Sequence, residues 1–349
     1  MPSSPDSLAS FLAALPRIPL GVFPTPLVRL ERRGARLGLD LRMKRDDCSG
    51  VALGGNKTRK LEFVLADARR KGFTTLVTTG PLTSNHTMMT AAAARRAGFG
   101  IHCTVGGTRP DRPSGNLLLL DYFGATLHFS PMNTADPSPE EDAALVCLSE
   151  RVIRETGGYW IPAGGTMPEA EPGYMNAILE IAIQRGGRFD FDHVVLAYGT
   201  GSTTTGVLLG LALAGFGARV WPIAIESRHA IVDVFRMPAP ARLFVESARH
   251  FGLPLGEADV PPHDVVFGLA DEGYGVPSQG GDEALRLVAS EEGYLLDPVY
   301  TAKAFHGLLT LARDGRIARG SRVLFLHTGG LSMTPAAEKR YRSDRSPRP

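Results

Sequence analysis

The chain has 349 residues, 43% of them hydrophobic and 21% charged, and a formal net charge of +2. Its length exceeds what one small core serves, so two domains are expected. The balanced charge carries no polyanion-binding signal, and no apolar run approaches the ~20 residues that span a bilayer, so neither a nucleic-acid nor a membrane partner is expected. Cys48, Cys103 and Cys147 are far apart and form no CxxC pair, which fits reduced thiols and argues against a disulfide framework. The nine histidines lack ligand spacings such as HExxH, so no metal is expected. The polar start Met1-Pro2-Ser3-Ser4-Pro5-Asp6 lacks the basic-then-apolar order of a signal peptide, and a cytoplasmic location is expected.

In chain order, residues 11–30 carry Pro16, Pro19, Pro24 and Pro26 around short apolar pieces and read as an extended arm, not a helix. Leu39 to Lys44 alternates and reads as a strand. The glycine–lysine loop Gly54-Gly55-Asn56-Lys57 follows, and then a helix over about 58–71. Strands at 75–79, 100–105 and 125–129 then alternate with helices at 88–97, 117–123 and 140–155. The second half continues with a helix at 173–185, a strand at 193–197, a loop at 199–206, a helix at 207–214, and strands at 218–226 and 323–327. Most of these helices begin near a polar cap and stop near a glycine. The alternation predicts an α/β fold with parallel, twisted sheets flanked by helices on both faces. Pro238 to Val276, rich in proline and polar turns, reads as an excursion near the active site.

Six stretches could carry chemistry. Lys57 sits where a loop meets a helix start, a place that disfavours cations because the helix dipole already supplies positive potential. It reads as a phosphate-type site, as an amine used in its neutral form, or as a solvated surface charge, which is the commonest case for a lone lysine. Gly199-Thr200-Gly201-Ser202-Thr203-Thr204-Thr205-Gly206 follows a strand and opens a helix, so backbone N–H groups and hydroxyls there make an anion cradle. It is neither a Walker loop nor a dinucleotide fingerprint, because Val207 and Thr204 stand where a lysine and a third glycine belong; a single phosphate or a plain turn remains. Ser84-Asn85-His86-Thr87 caps a helix at the carboxyl end of a strand, where parallel sheets bind ligands. Leu296-Asp297-Pro298-Val299-Tyr300-Thr301 opens another helix, with Asp297 as its cap and Pro298 in its first turn. His327-Thr328-Gly329-Gly330 ends the last strand, and Tyr274 lies in a glycine-flanked loop.

Together and in this order, the GGNKTRKLEF block, the SNH turn, the DPVYTAK block and the HTGG end resemble the fold type II pyridoxal-phosphate enzymes. Within them they resemble the branch holding D-cysteine desulfhydrase and aminocyclopropane-carboxylate deaminase, from about Pro24 to Thr334. The resemblance implies a tryptophan synthase β-like architecture of two domains, 1–62 with 173–349 as the large one and 63–172 as the small one. It also implies pyridoxal 5'-phosphate as cofactor, a small amino-acid substrate and a homodimer. Lys57 would form the Schiff base and then move the Cα proton. Asn85 would bond the cofactor's ring oxygen, and Gly199, Thr200, Gly201, Ser202 and Thr203 would hold the phosphate. Thr328, with Thr301 as a second candidate, would contact the pyridine nitrogen. Ser84, Asn85, His86, Tyr274 and Tyr300 would surround the substrate, with Ser84, Tyr274 and Tyr300 taking part in catalysis. Deaminases of the branch carry glutamate where this chain has Thr301 and tend to carry glutamine at His86, so the resemblance favours β-elimination from a cysteine-like amino acid. Ring opening of the cyclopropane acid, cysteate cleavage and a non-catalytic sensor are the alternatives. Relatives usually place glutamine at 83 and a basic residue at 88. Thr83, Met88 and the block 267–272 depart from the common pattern, so Thr83 and Met88 are expected to line or back the crevice where substrate is chosen.

Overall fold

Strand and helix alternate along the chain and sort into two sheets. The computed structural model describes residues 3–270 and 272–330. Met1, Pro2, Asp271 of the 267–272 block, and the end of the resemblance at Thr334 lie outside the described residues.

The elements are α1 (Pro5–Ala13), β1 (Leu27–Arg29), α2 (Glu31–Leu37), β2 (Asp40–Arg45), α3 (Asn56–Arg70), β3 (Thr75–Pro81), α4 (Asn85–Ala97), β4 (Gly100–Gly106), α5 (Gly115–Tyr122) and β5 (Thr126–Ser130). They continue with α6 (Pro139–Thr156), β6 (Tyr159–Ile161), α7 (Pro172–Gln184), β7 (His193–Tyr198), α8 (Ser202–Ala214), β8 (Arg219–Ala224), α9 (Pro240–His250), α10 (Gln279–Glu292), α11 (Thr301–Arg313) and β9 (Arg322–His327).

One sheet runs β1-β2-β9-β7-β8 and the other β5-β4-β3-β6. Every ladder is parallel except β1–β2. The five-stranded sheet is covered on both faces. Leu8, Tyr174, Ile178, Leu208 and Leu211 from α1, α7 and α8 pack on one side. Phe305, Leu308, Val288 and Leu30 pack on the other. This double cover is why Val194, Val195, Leu196 and Val323 to Leu326 are apolar without alternation. A separate core, including Leu61, Val64, Leu76, Ile101 and Leu117, serves the four-stranded sheet.

Several expectations need correction. Residues 11–13 are not part of an extended arm: they complete α1, which Ser4 caps by accepting from Ser7 N, with Pro5 in the first turn. Leu8 and Leu12, one turn apart, bury against α7 and α8, and the extended arm begins only after them. The loop 199–206 is shorter than expected, because α8 starts at Ser202. Gly206 is inside that helix for packing, not for turning: a Cβ there would stand 2.7 Å from Tyr174 Cβ and from the Glu171 carbonyl on α7. The excursion after Pro238 contains α9, whose Pro240 starts the helix instead of breaking it. The helix α11 begins at Thr301, later than the DPVY block suggested; Asp297 caps the turn before it, accepting from the backbone N–H of Val299, Tyr300 and Thr301.

Candidate active site

The carboxyl ends of β3, β7, β8 and β9 open on one cavity of about 590 Å³, as expected where parallel strands reverse order. It brings together Lys57, Ser84, Asn85, His86, Gly199, Thr200, Gly201, Thr203, Tyr274, Tyr300 and Thr328. These residues span more than two hundred positions of sequence and come from both sheets.

Lys57 is the second residue of α3. The two glycines before it let this helix start press against the end of β9: Asn56 N donates to the Thr328 carbonyl at 2.9 Å. Gly54 has φ 73°, and a Cβ there would fall 1.9 Å from the Asp47 carbonyl oxygen. Lys57 Nζ donates to the Gly164 carbonyl at 3.0 Å, Lys60 Nζ reaches the same oxygen at 3.4 Å, and the Glu171 carboxyl acts on the amine only as the weakest influence. Burial, reinforced by Lys60, holds the Lys57 amine well below the usual lysine range. Burial also brings Lys60 down to about 8 and pushes Glu171, beside it, up to about 8. An amine so placed is available as a nucleophile and as a base.

Across the cavity, α8 begins with Ser202, Thr203, Thr204 and Thr205, and no side chain caps it. Its first N–H groups have no intrahelical acceptor. Thr204 Oγ1, which lines the cavity, is buried without a hydrogen-bond partner. An orphaned hydroxyl beside the unpaired N–H groups of a helix start is what a bound phosphate would satisfy, so the residues present fit a phosphorylated cofactor. Asn56 Nδ2 donates to Thr203 Oγ1 at 3.0 Å and ties this cradle to the lysine loop.

Ser84 caps α4 by accepting from Thr87 N at 3.3 Å. Asn85 Oδ1 accepts from Asn116 Nδ2 at 2.8 Å, which turns the Asn85 amide so that its N–H₂ can donate elsewhere. His86 is held between Thr78 Oγ1 at 2.8 Å and Thr90 Oγ1 at 3.5 Å, and burial with the nearby lysines keeps the ring neutral. The Tyr274 and Tyr300 hydroxyls hydrogen-bond one another, and burial raises both phenols above their ordinary range, so both stay protonated.

Two predicted cofactor residues do not line the cavity. Thr301 is fully buried; its hydroxyl donates to Asp297 Oδ1 at 2.7 Å and accepts from Asp297 N at 2.8 Å. Ser202 lies behind the cradle, beside Glu171. Met88 does not line the crevice either, because it is 2% exposed in the core of the four-stranded sheet. Thr83 backs Tyr274. Sequence reasoning gave no role to Asn56, Lys60, Gly164 and Glu226, all of which line the cavity, and placed Thr204 in the cradle without counting it among the phosphate residues. Lys60 had a signal, one helical turn after Lys57 on the same face; Gly164 had none.

Residues 18–329 match the family described as pyridoxal-phosphate dependent enzyme. The chain is 38% identical over 329 residues to a protein of Salmonella schwarzengrund named D-cysteine desulfhydrase, covering 91% of this chain and 95% of that protein. It is 37% identical over 334 residues to a protein of the same name from Yersinia enterocolitica, with the same shares covered. A crystal structure described as the ACC deaminase homologue superposes with a TM-score of 0.82 at 33% identity, covering 98% of this chain and 99% of that one. Maize serine racemase, at 17% identity and a TM-score of 0.64, shares the fold. With a buried lysine amine facing a phosphate cradle and this match along nearly its whole length, the chain belongs to the pyridoxal-phosphate dependent enzymes of fold type II, and pyridoxal phosphate is its cofactor.

Proposed function

We propose that this enzyme is a carbon–sulfur lyase that eliminates across Cα and Cβ of a cysteine-like amino acid, with D-cysteine as the first choice. With one water, D-cysteine would give pyruvate, sulfide and ammonia. The observation that carries the reading is the Lys57 amine, held low by burial in a cavity that also presents two phenols and a serine. The relatives named D-cysteine desulfhydrase support the choice of substrate.

When bound, pyridoxal phosphate supplies the electron sink that acidifies the substrate's Cα–H. Lys57 would hold the cofactor, and its neutral amine would take the substrate's Cα proton. Gly199, Thr200, Gly201, Thr203 and Thr204 would hold the phosphate, with Ser202 behind them. Asn85 would donate to the ring oxygen, and Thr328 would offer its hydroxyl to the pyridine nitrogen; Thr301 is spent on Asp297 and stiffens the helix start instead. Ser84 and His86 border the substrate carboxylate. Tyr274 and Tyr300, protonated and hydrogen-bonded together, orient the substrate at its Cα–Cβ bond.

We also propose that residues 1–62 with 173–349 form a large domain and 63–172 a small one, each with its own sheet, and that the enzyme works as a cytoplasmic homodimer. Light scattering on purified protein tests the dimer. The deaminase reading is kept because the ACC deaminase homologue overlaps the chain almost end to end. Keto-acid release from D- and L-cysteine, cysteate and aminocyclopropane-carboxylate separates the readings. Pyruvate from D-cysteine is expected. Release of 2-oxobutyrate from the cyclopropane acid alone would replace the proposal with the deaminase. Cofactor binding without any turnover would leave a sensor.

A further inference from the structure

Glu226 follows the end of β8 and lines the same cavity, yet none of the roles above uses it. It is 6% exposed, and its Oε1 is buried without a hydrogen-bond partner. An unpaired buried carboxyl is costly unless it is neutral or serves a ligand. Its neighbours are the Tyr274 and Tyr300 phenols and Lys303, whose Nζ is taken by the Ile225 carbonyl at 2.9 Å and the Gly273 carbonyl at 3.3 Å. Burial pushes the Glu226 carboxyl up to about 7, so a proton is present on it near neutrality. The cavity also extends along the apolar side chains of Leu145, Val146, Ile153, Ile231, Phe235 and Met237.

A proton donor and an apolar extension are more than a cysteine needs. Hydrosulfide is a weak base and leaves without help, and it has no substituent to fill the extension. An alkyl thiolate is a stronger base and leaves faster when protonated as the bond breaks. We propose that Glu226 is a catalytic acid for the group leaving Cβ, and that the substrates it serves are thioether amino acids, S-alkyl cysteines (S-benzyl included) whose apolar substituent lies along that extension.

This rests on the carbon–sulfur lyase reading and narrows it. The Cβ–S bond breaks with both electrons going to sulfur, and the sulfur takes the Glu226 proton as S–H forms; water then reprotonates the carboxylate. Over the cycle, one thioether amino acid and one water give a thiol, pyruvate and ammonium, with no change of oxidation state to balance.

The test compares S-benzyl-D-cysteine, D-cysteine and β-chloro-D-alanine in the holoenzyme, because chloride needs no proton to leave. Wild-type kcat/KM for S-benzyl-D-cysteine is expected to equal or exceed that for D-cysteine. Glu226→Gln should lose about 100-fold in kcat on the thioether, the usual scale of one acid group, and at least tenfold less on β-chloro-D-alanine. Phe235→Ala should raise KM for the thioether more than for D-cysteine. Quenching of Trp160, which lines the cavity, reads thioether binding apart from turnover. Turnover of D-cysteine with none of the thioether overturns the proposal and leaves the lyase reading standing, whether or not the Gln variant folds. Equal losses on thioether and chloride substrates also overturn it. No pyruvate from any of the three fells the lyase reading and this proposal together.

Discussion

Two basic side chains two positions apart on α3 meet opposite fates. Arg59 is 1% exposed, and its guanidinium is gripped by Asp46 at 2.8 and 2.9 Å, Glu180 at 2.9 Å and Thr25 Oγ1 at 3.0 Å. The carboxylates outweigh burial, and the charge is held more firmly than in water. Lys44 joins the cluster through Glu180, and Tyr174 donates to Asp46 Oδ2 at 2.7 Å. Lys57 points the other way, into the cavity, where a carbonyl and a second amine are its company and the Glu171 carboxyl acts on it too weakly to offset burial. The lesson is that burial alone does not say what a buried base is for. Paired, it is a structural charge; unpaired beside a cavity, it is a reactive amine.

Breaking each side should give distinct results. Lys57→Ala is expected to lose at least about 10³-fold in pyruvate release, within the range of a missing base and nucleophile, with its thermal midpoint nearly unchanged; activity within tenfold of wild type would contradict the role. Arg59→Met strands Asp46 and Glu180 as buried, uncompensated carboxylates and should cost about 3–5 kcal/mol in urea unfolding. A cost below about 1 kcal/mol would mean that the cluster is not the structural half of the contrast.

The cluster also sets an acid limit. Asp46 and Glu180 are held below their ordinary values, chiefly by Arg59 against the opposing effect of burial. Their contribution is therefore present above the unfolded values near ~4 and is lost as pH falls through the lower folded ones. Urea midpoints measured from pH 6 to 3 should fall in wild type and fall less in Asp46→Asn. The smallest effect concerns the reactive half. Lys60→Met removes a like charge, so the Lys57 pKa should rise, and the pH profile of Lys57 acylation in the apoprotein should move to higher pH. An unmoved profile would show that burial alone sets the amine.

Much of the site was legible because each motif sits at the end of a strand whose apolar run is plain. The SNH turn follows β3, the cradle follows β7 and HTGG follows β9, so the parallel-sheet rule placed all three at one crevice. What misled was chemistry that looks alike in a loop and in a helix. Proline at the first turn reads as a breaker, as at Pro240, and glycine inside a helix reads as a turn, as at Gly206. The resemblance offered Thr301 as a second partner for the pyridine nitrogen, but Asp297 four residues earlier had already taken its hydroxyl.

The sequence by itself determined the alternation of strand and helix, the helix starts at Ser84 and Lys57, and the family, because these depend on local spacing and caps. It could not decide which buried polar groups would be paired. Arg59 finds Glu180 across 121 residues, Lys57 finds Gly164 across 107, and Asn56 finds Thr203 across 147. Glu226 finds no partner for its Oε1 at all. Whether a charge is neutralised, kept or left reactive depends on what the two sheets bring within 3 Å, and only the tertiary structure fixes that distance.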